Sequence, residues 1–166
     1  GAPCVNLDSW AMQTDTFSNL VHHVSANADL VICEGVMGLF DGALLQSESG
    51  NGSTADAAAR TGWPVVLVVD ARGQAQSAGA LIEGFVRHRR DINVAGVIFN
   101  RVGSDRHAET LRAAAEQSGV AVLGCLPRDP ALALPERHLG LVQAGEHDSL
   151  EVFLDNAARI AATALD

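Results

Sequence analysis

The chain has 166 residues, a net charge of −9 and 48% apolar side chains, so it is long enough to bury a core and too apolar to be disordered. Its acidic balance, with no basic stripe, excludes a phosphate-backbone binder of nucleic acid, and no apolar run approaches the roughly 20 residues that span a bilayer. Cys4, Cys33 and Cys125 give an odd count without CxxC spacing, which argues against a disulfide framework or a zinc site and for a reduced, cytoplasmic protein.

Apolar side chains at helical spacing (Phe17, Leu20, Val21, Val24) predict a helix over Thr14 to Ala26. Leu30 to Cys33 reads as a short buried strand, with Cys33 a small core residue. Ser53 to Thr61 follows as a short alanine-rich helix. Val65 to Val69 is a strand, Gln76 to Arg89 a helix, Val94 to Phe99 a strand, Asp105 to Gln117 a helix and Val120 to Cys125 a strand. The basic run from Arg87 to Arg90 suits a helix C-terminus. Pro127, Pro130 and Pro135 turn Leu126 to Gly145 into a long loop with a short helix near Leu132. Ser149 to Ala164 closes the chain as an amphipathic helix. Short apolar runs alternating with helices predict one α/β domain over 1–166, a doubly wound and mainly parallel sheet covered on both faces.

The segment from Asp29 to Gly42 carries the strongest chemical signal. An apolar run ends on Glu34, and a loop punctuated by Gly35, Gly38 and Gly42 closes on Asp41. Ligands in open α/β sheets sit at the carboxyl ends of the strands, and glycine lets a backbone approach them closely. The plain alternative is a strand end and a turn with both acids solvated, and spacing alone does not decide between them. The stretch from Gly50 to Asp56 is a glycine-rich entry to a helix. Ser53 is a good N-cap, with Asp56 completing a variant capping box, and the same helix end is equally able to receive an anion. Asp70-Ala71-Arg72-Gly73 ends a strand and reads as loop geometry, a substrate contact or a solvated turn. Asn100-Arg101 follows another strand, and an asparagine amide presents both donor and acceptor. His22 and His23 diverge on their helix and read as surface residues.

The string Glu34-Gly35-Val36-Met37-Gly38-Leu39-Phe40-Asp41-Gly42 closely resembles the signature of the cobyrinic acid a,c-diamide synthases. The likeness extends in order through Asn6-Leu7-Asp8, Gly52-Ser53-Thr54-Ala55, Val97 to Val102, Leu126-Pro127-Arg128 and Arg137-His138-Leu139-Gly140-Leu141, roughly 130 residues in all. The resemblance implies a fold of the P-loop NTPase and dethiobiotin synthetase-like type. It implies an ATP- and glutamine-dependent ligase that amidates the a- and c-acetate carboxylates of cobyrinic or hydrogenobyrinic acid in cobalamin biosynthesis, through acyl phosphates. By the same resemblance Glu34 helps hold Mg2+·ATP and Asp41 positions the reacting group. Asn100, Arg101 and Pro127 surround the nucleotide base, and Ser53, Thr54 and Asp8 line the substrate side.

Two family parts are absent from this sequence. It contains no lysine and no Gly-rich Gly-Lys-Thr string, so no P-loop; nor does it contain a glutamine amidotransferase domain. It resembles the middle of a longer enzyme, truncated at the N-terminus. In isolation such a piece is expected to be inactive as a synthetase and to self-associate through its uncovered sheet. Two alternatives share the pattern: a nickel-sirohydrochlorin a,c-diamide synthase, which a substrate panel distinguishes, and a non-catalytic binding or assembly module of P-loop ancestry. Loss of both acids without loss of ligand binding favours the module.

Overall fold

The valine-rich run Val65–Asp70 forms β1, Val94–Val102 forms β2 and Ala121–Pro127 forms β3. In the computed structural model these make a parallel sheet in the order β1-β2-β3. The structure describes residues 2–45, 47, 50–133, 136–137, 140–141 and 149–165. They form two compact units, Gly1–Val65 with Arg90–Asn93, and Val66–Arg89 with Val94–Asp166.

The first unit holds α1 (Thr14–Ser25) and α2 (Thr54–Thr61). Phe17 is its buried anchor at 2% exposure, and the Arg60 guanidinium lies 5.3 Å over the Phe17 ring, a cation–π contact. Helix α2 starts where Ser53 Oγ accepts from the Asp56 amide at 3.3 Å and stops at a left-handed Gly62. His22 and His23 lie exposed on α1.

The second unit holds the sheet. Helix α3 (Ser77–His88) links β1 to β2, and α4 (Asp105–Glu116) links β2 to β3. Parallel neighbours need such crossovers, which wind right-handedly and so place successive helices on one face of a sequentially ordered sheet. Accordingly α3 packs against α4. Ile82, Leu111, Val97 and Phe99 are fully buried. The two helices approach closely at Gly79, where an added Cβ would lie 2.5 Å from the Ala114 carbonyl oxygen. Helix α5 (Leu150–Ala164) packs on β3 and on the 3-10 turn Pro130–Leu132. A small antiparallel pair, β4 (Glu136–Arg137) with β5 (Gly140–Leu141), occupies part of the segment expected to be loop. Positions 134–135, 138–139 and 142–148 of that segment lie outside the described residues.

Three expectations are corrected. Residues 30–33 do not form a buried strand: they belong to no strand, and Leu30 and Ile32 are 75% and 82% exposed. An apolar run becomes a strand only by pairing its backbone with a neighbour, and among the described residues none pairs here. Cys33 is accordingly exposed. The sheet is also not covered on both faces along β1, where Leu67 and Val69 are buried but the alternate residues Val66 and Val68 are 45% and 65% exposed. Finally, β2 runs past Phe99 to Val102, so Asn100 and Arg101 belong to the strand rather than to the turn after it.

Candidate functional site

In the first unit, a glycine loop and the start of α2 hold each other. The Ala55 amide donates to the Leu39 carbonyl at 2.9 Å, and the Ala43 amide to the Asn51 carbonyl at 2.7 Å. Leu39, within that loop, is buried. The Asp41 carboxylate accepts from the Gly38 amide at 2.9 Å, while the Asp41 amide donates to the Gly38 carbonyl at 3.1 Å. Asp41 thus closes its own turn and keeps an exposed carboxylate with spare acceptor capacity. Gly35 passes so close to Thr54 that an added Cβ would sit 2.7 Å from Thr54 Oγ1 and Cγ2. Between these glycines Met37 takes a left-handed conformation (φ 63) and is 84% exposed. Glu34 is exposed, with no hydrogen bond or ion pair among the described residues.

The neighbouring loop is tied down by its own side chains. Asp56 Oδ2 accepts from the Asn51 amide at 2.6 Å, and Asn51 Oδ1 accepts from the Ser53 amide at 3.1 Å. Ser53 is 2% exposed, so its hydroxyl works as the helix cap; Thr54 beside it is half-buried. Asp8 accepts from the Trp10 and Ala11 amides at 2.8 and 3.0 Å, an Asx-type turn. The Trp10 indole N–H donates to the Leu45 carbonyl at 3.1 Å. Although Cys33 is exposed as a residue, neighbouring chain partly shields its thiol, and that desolvation raises it above its usual pKa.

The second unit brings Asn100, Arg101 and Asp70 to the carboxyl ends of β1 and β2. Asn100 Oδ1 accepts from the Arg101 amide at 2.9 Å, and the Asn100 carbonyl accepts from the Ala71 amide at 2.9 Å. Arg101 has φ 60, a conformation unfavourable for a residue with a Cβ, and it sits where the β2–β3 register shifts between Phe99 and Val102. Its Nη1 donates to Asp70 Oδ2 at 2.9 Å. Arg72 also grips Asp70, through its amide at 3.0 Å, its Nε at 3.0 and 3.1 Å, and its Nη2 at 2.7 Å. These donors, Arg72 first, hold the Asp70 carboxyl well below the usual carboxylate range.

A hydrogen-bonded brace lies beside this cluster. Gln74 Nε2 donates to the Asp70 carbonyl at 3.3 Å. His107 Nδ1 accepts from the Gly103 amide at 3.1 Å, and its Nε2 lies 2.7 Å from the Gln74 carbonyl. An amide can only donate and a carbonyl only accept, so these two partners match the ring tautomer that carries its hydrogen on Nε2. Pro127 is exposed at the end of β3, and the following Arg128 amide donates to the Val102 carbonyl at 2.9 Å. The Asp70–Arg101 pair and the His107 bridge were not foreseen from sequence. Their partners stand 31 and 33 positions apart, and no local pattern marks them.

Among the described residues no group of three His, Cys, Asp or Glu side chains could hold a metal ion. Magnesium bound with a nucleotide needs only one or two protein carboxylates, because phosphates and water supply the other oxygens. The unengaged carboxylate of Glu34 fits that requirement.

The AAA domain family matches residues 6–136. Over its full length the chain is 52% identical to a protein of Brucella anthropi named hydrogenobyrinate a,c-diamide synthase, covering 37% of that protein. It is 49% identical, again over its full length, to a protein of that name from Rhizobium meliloti, covering 38% of it. A third, from Agrobacterium fabrum, is 45% identical over 95% of this chain and 36% of its own length. The chain thus spans little more than a third of these curated relatives. No solved structure matches it.

Proposed function

Because the chain belongs to the AAA domain family, we propose that it forms part of the nucleotide- and substrate-handling domain of an ATP- and glutamine-dependent hydrogenobyrinate a,c-diamide synthase. The single observation that carries this reading is the 52% identity, over the full length of this chain, to a protein of that name. The relatives' name favours the metal-free hydrogenobyrinate over nickel-sirohydrochlorin as substrate. In this reading a substrate carboxylate is activated by phosphorylation from ATP, and ammonia released from glutamine displaces phosphate. Phosphoryl transfer asks a protein mainly for positioning and charge neutralisation.

This chain's residues divide that work. Glu34 holds Mg2+, which supplies charge neutralisation at the phosphates when bound. Asp41, fixed by Gly38, places the reacting carboxylate. Thr54 and Asp8 stand on the substrate side, and Ser53 keeps the helix start in place beneath them. Asn100, Arg101 and Pro127 contact the nucleotide at the strand ends. The chain has no lysine, so none of its residues plays the part of a P-loop lysine, and the isolated 166 residues are expected to lack synthetase activity. Partnership with a glutamine amidotransferase domain and a cytoplasmic setting belong to the same proposal.

The test uses the full-length protein that carries this chain, supplied with hydrogenobyrinate, glutamine and MgATP. The expected product is the a,c-diamide. Glu34→Gln and Asp41→Asn each lower kcat/KM by about 10- to 100-fold, the usual size of a positioning defect, and Glu34→Gln also raises the Mg2+ concentration needed. Failure to amidate hydrogenobyrinate, or full activity in both variants, overturns the reading.

A further inference from the structure

Arg101 stands in a backbone conformation that a glycine would occupy more easily (φ 60), and its side chain is 48% exposed. Strained residues persist where the surroundings over-determine them, and they concentrate at ligand clamps. Here the Arg101 amide is held by Asn100 Oδ1, and the direction of its side chain is set by Asp70. The two cations on Asp70 bind it unequally. Arg72 wraps it with its amide, Nε and Nη2, whereas Arg101 spends a single N–H on it, from Nη1. A guanidinium carries five N–H donors in a rigid fork suited to phosphate or carboxylate. Most of the Arg101 fork is therefore open among the described residues, while its direction is already set. Two arginines against one aspartate also leave this spot with one net positive charge, on a chain whose overall charge is −9.

We infer that Asp70 is a positioning residue: from the end of β1 it aims the Arg101 guanidinium at the nucleotide, with Arg72 keeping Asp70 itself fixed. The inference rests on the reading of Arg101 as a nucleotide contact and adds the residue that makes that contact directional. Asp70 acts through Arg101 and touches no ligand. Its carboxylate remains ionised throughout the neutral range because its donors stabilise the charged form.

The experiment is a double-mutant cycle in the full-length protein, reading KM and Kd for MgATP, kcat, and thermal melting. Arg101→Gln weakens MgATP. Asp70→Asn, which keeps the shape and removes the charge, raises KM for ATP by about 2- to 5-fold, the scale of an exposed ion pair, with a smaller change in kcat. In the Arg101→Gln background, Asp70→Asn adds no further loss, because the residue it acts through is gone. The two backgrounds separate this from a folding defect: Asp70→Asn lowers the melting temperature slightly in both, whereas it weakens MgATP only where Arg101 is present. If Asp70→Asn costs as much with Arg101→Gln as without it, or costs nothing while Arg101→Gln weakens ATP, the positioning role is overturned and the nucleotide contact stands. If Arg101→Gln leaves ATP binding unchanged, the nucleotide contact itself falls, and the inference with it.

Discussion

Gly35 and Ser53 carry the first unit's loop in different ways, and substitution separates them. A methyl group at Gly35 meets Thr54 at 2.7 Å, and Thr54 is a short, β-branched residue at the start of a helix with little room to turn away. Gly35→Ala is expected to destabilise by about 1–3 kcal/mol, the cost of overpacking. The added change Thr54→Ala, which removes both clashing atoms, is expected to restore most of the loss in a denaturant titration. Ser53→Ala removes a buried cap and is expected to cost about 1 kcal/mol in the same assay. Asp70 responds to acid with a definite sign. Its folded pKa is depressed, so its contribution to stability is complete above the unfolded carboxylate pKa and is lost as pH falls through the folded one. The stability gap between wild type and Asp70→Asn is therefore expected to stay constant through neutral pH and to narrow only below the usual carboxylate range. A gap that changes between pH 6 and 8 would contradict the assignment.

Helices α3 and α4 meet at Gly79, and the sign of a substitution there is decided by two opposed magnitudes. Alanine is favoured over glycine in a helix by about 1 kcal/mol, but its methyl lands 2.5 Å from a backbone carbonyl that cannot rotate away. Overpacking against backbone costs about 1–3 kcal/mol, so Gly79→Ala is expected to lower the melting temperature; a rise would show that the helices separate freely. The helices were legible in the sequence because their periodic apolar residues and caps act locally. Thr14–Ser25, Ser77–His88 and Asp105–Glu116 lie within a residue or two of the expected bounds. Residues 30–33 were misread for the opposite reason, since apolar content reports a preference for burial and says nothing of a partner to pair with. Strand β2 outran its expected end because Asn100 and Arg101 are polar, while the ladder that extends a strand runs through backbone. At the candidate site, the acids and the Ser53 cap could be named from spacing, whereas the Arg101 conformation and its Asp70 anchor arise only when two strands lie side by side.

Across the whole molecule, both units present apolar side chains to solvent. The first exposes Leu30, Ile32, Val36, Leu44 and Leu45; the second exposes Val66, Val68, Val152 and Leu154. Apolar residues scattered singly are ordinary, but Val66 and Val68 share one face of a strand, and such surfaces mark contact sites. Among the described residues no helix is long and apolar enough to cross a membrane, so a bilayer-spanning helix does not account for these side chains. The isolated chain is expected to self-associate, with weight-average mass rising with concentration in sedimentation equilibrium. Val66→Thr with Val68→Thr should reduce that rise, and a monomer at all concentrations would contradict it.

The exposed, left-handed Met37 turns the glycine loop into its own recorder. A thioether in open solvent is converted to the sulfoxide by mild peroxide, and one shielded by a neighbour is converted more slowly. The chain's other methionine, Met12, is half-buried and serves as the internal clock. The ratio of sulfoxide at the two positions therefore gives a footprint of whatever lies over residues 35–42, read by mass alone, without a substitution and without turnover.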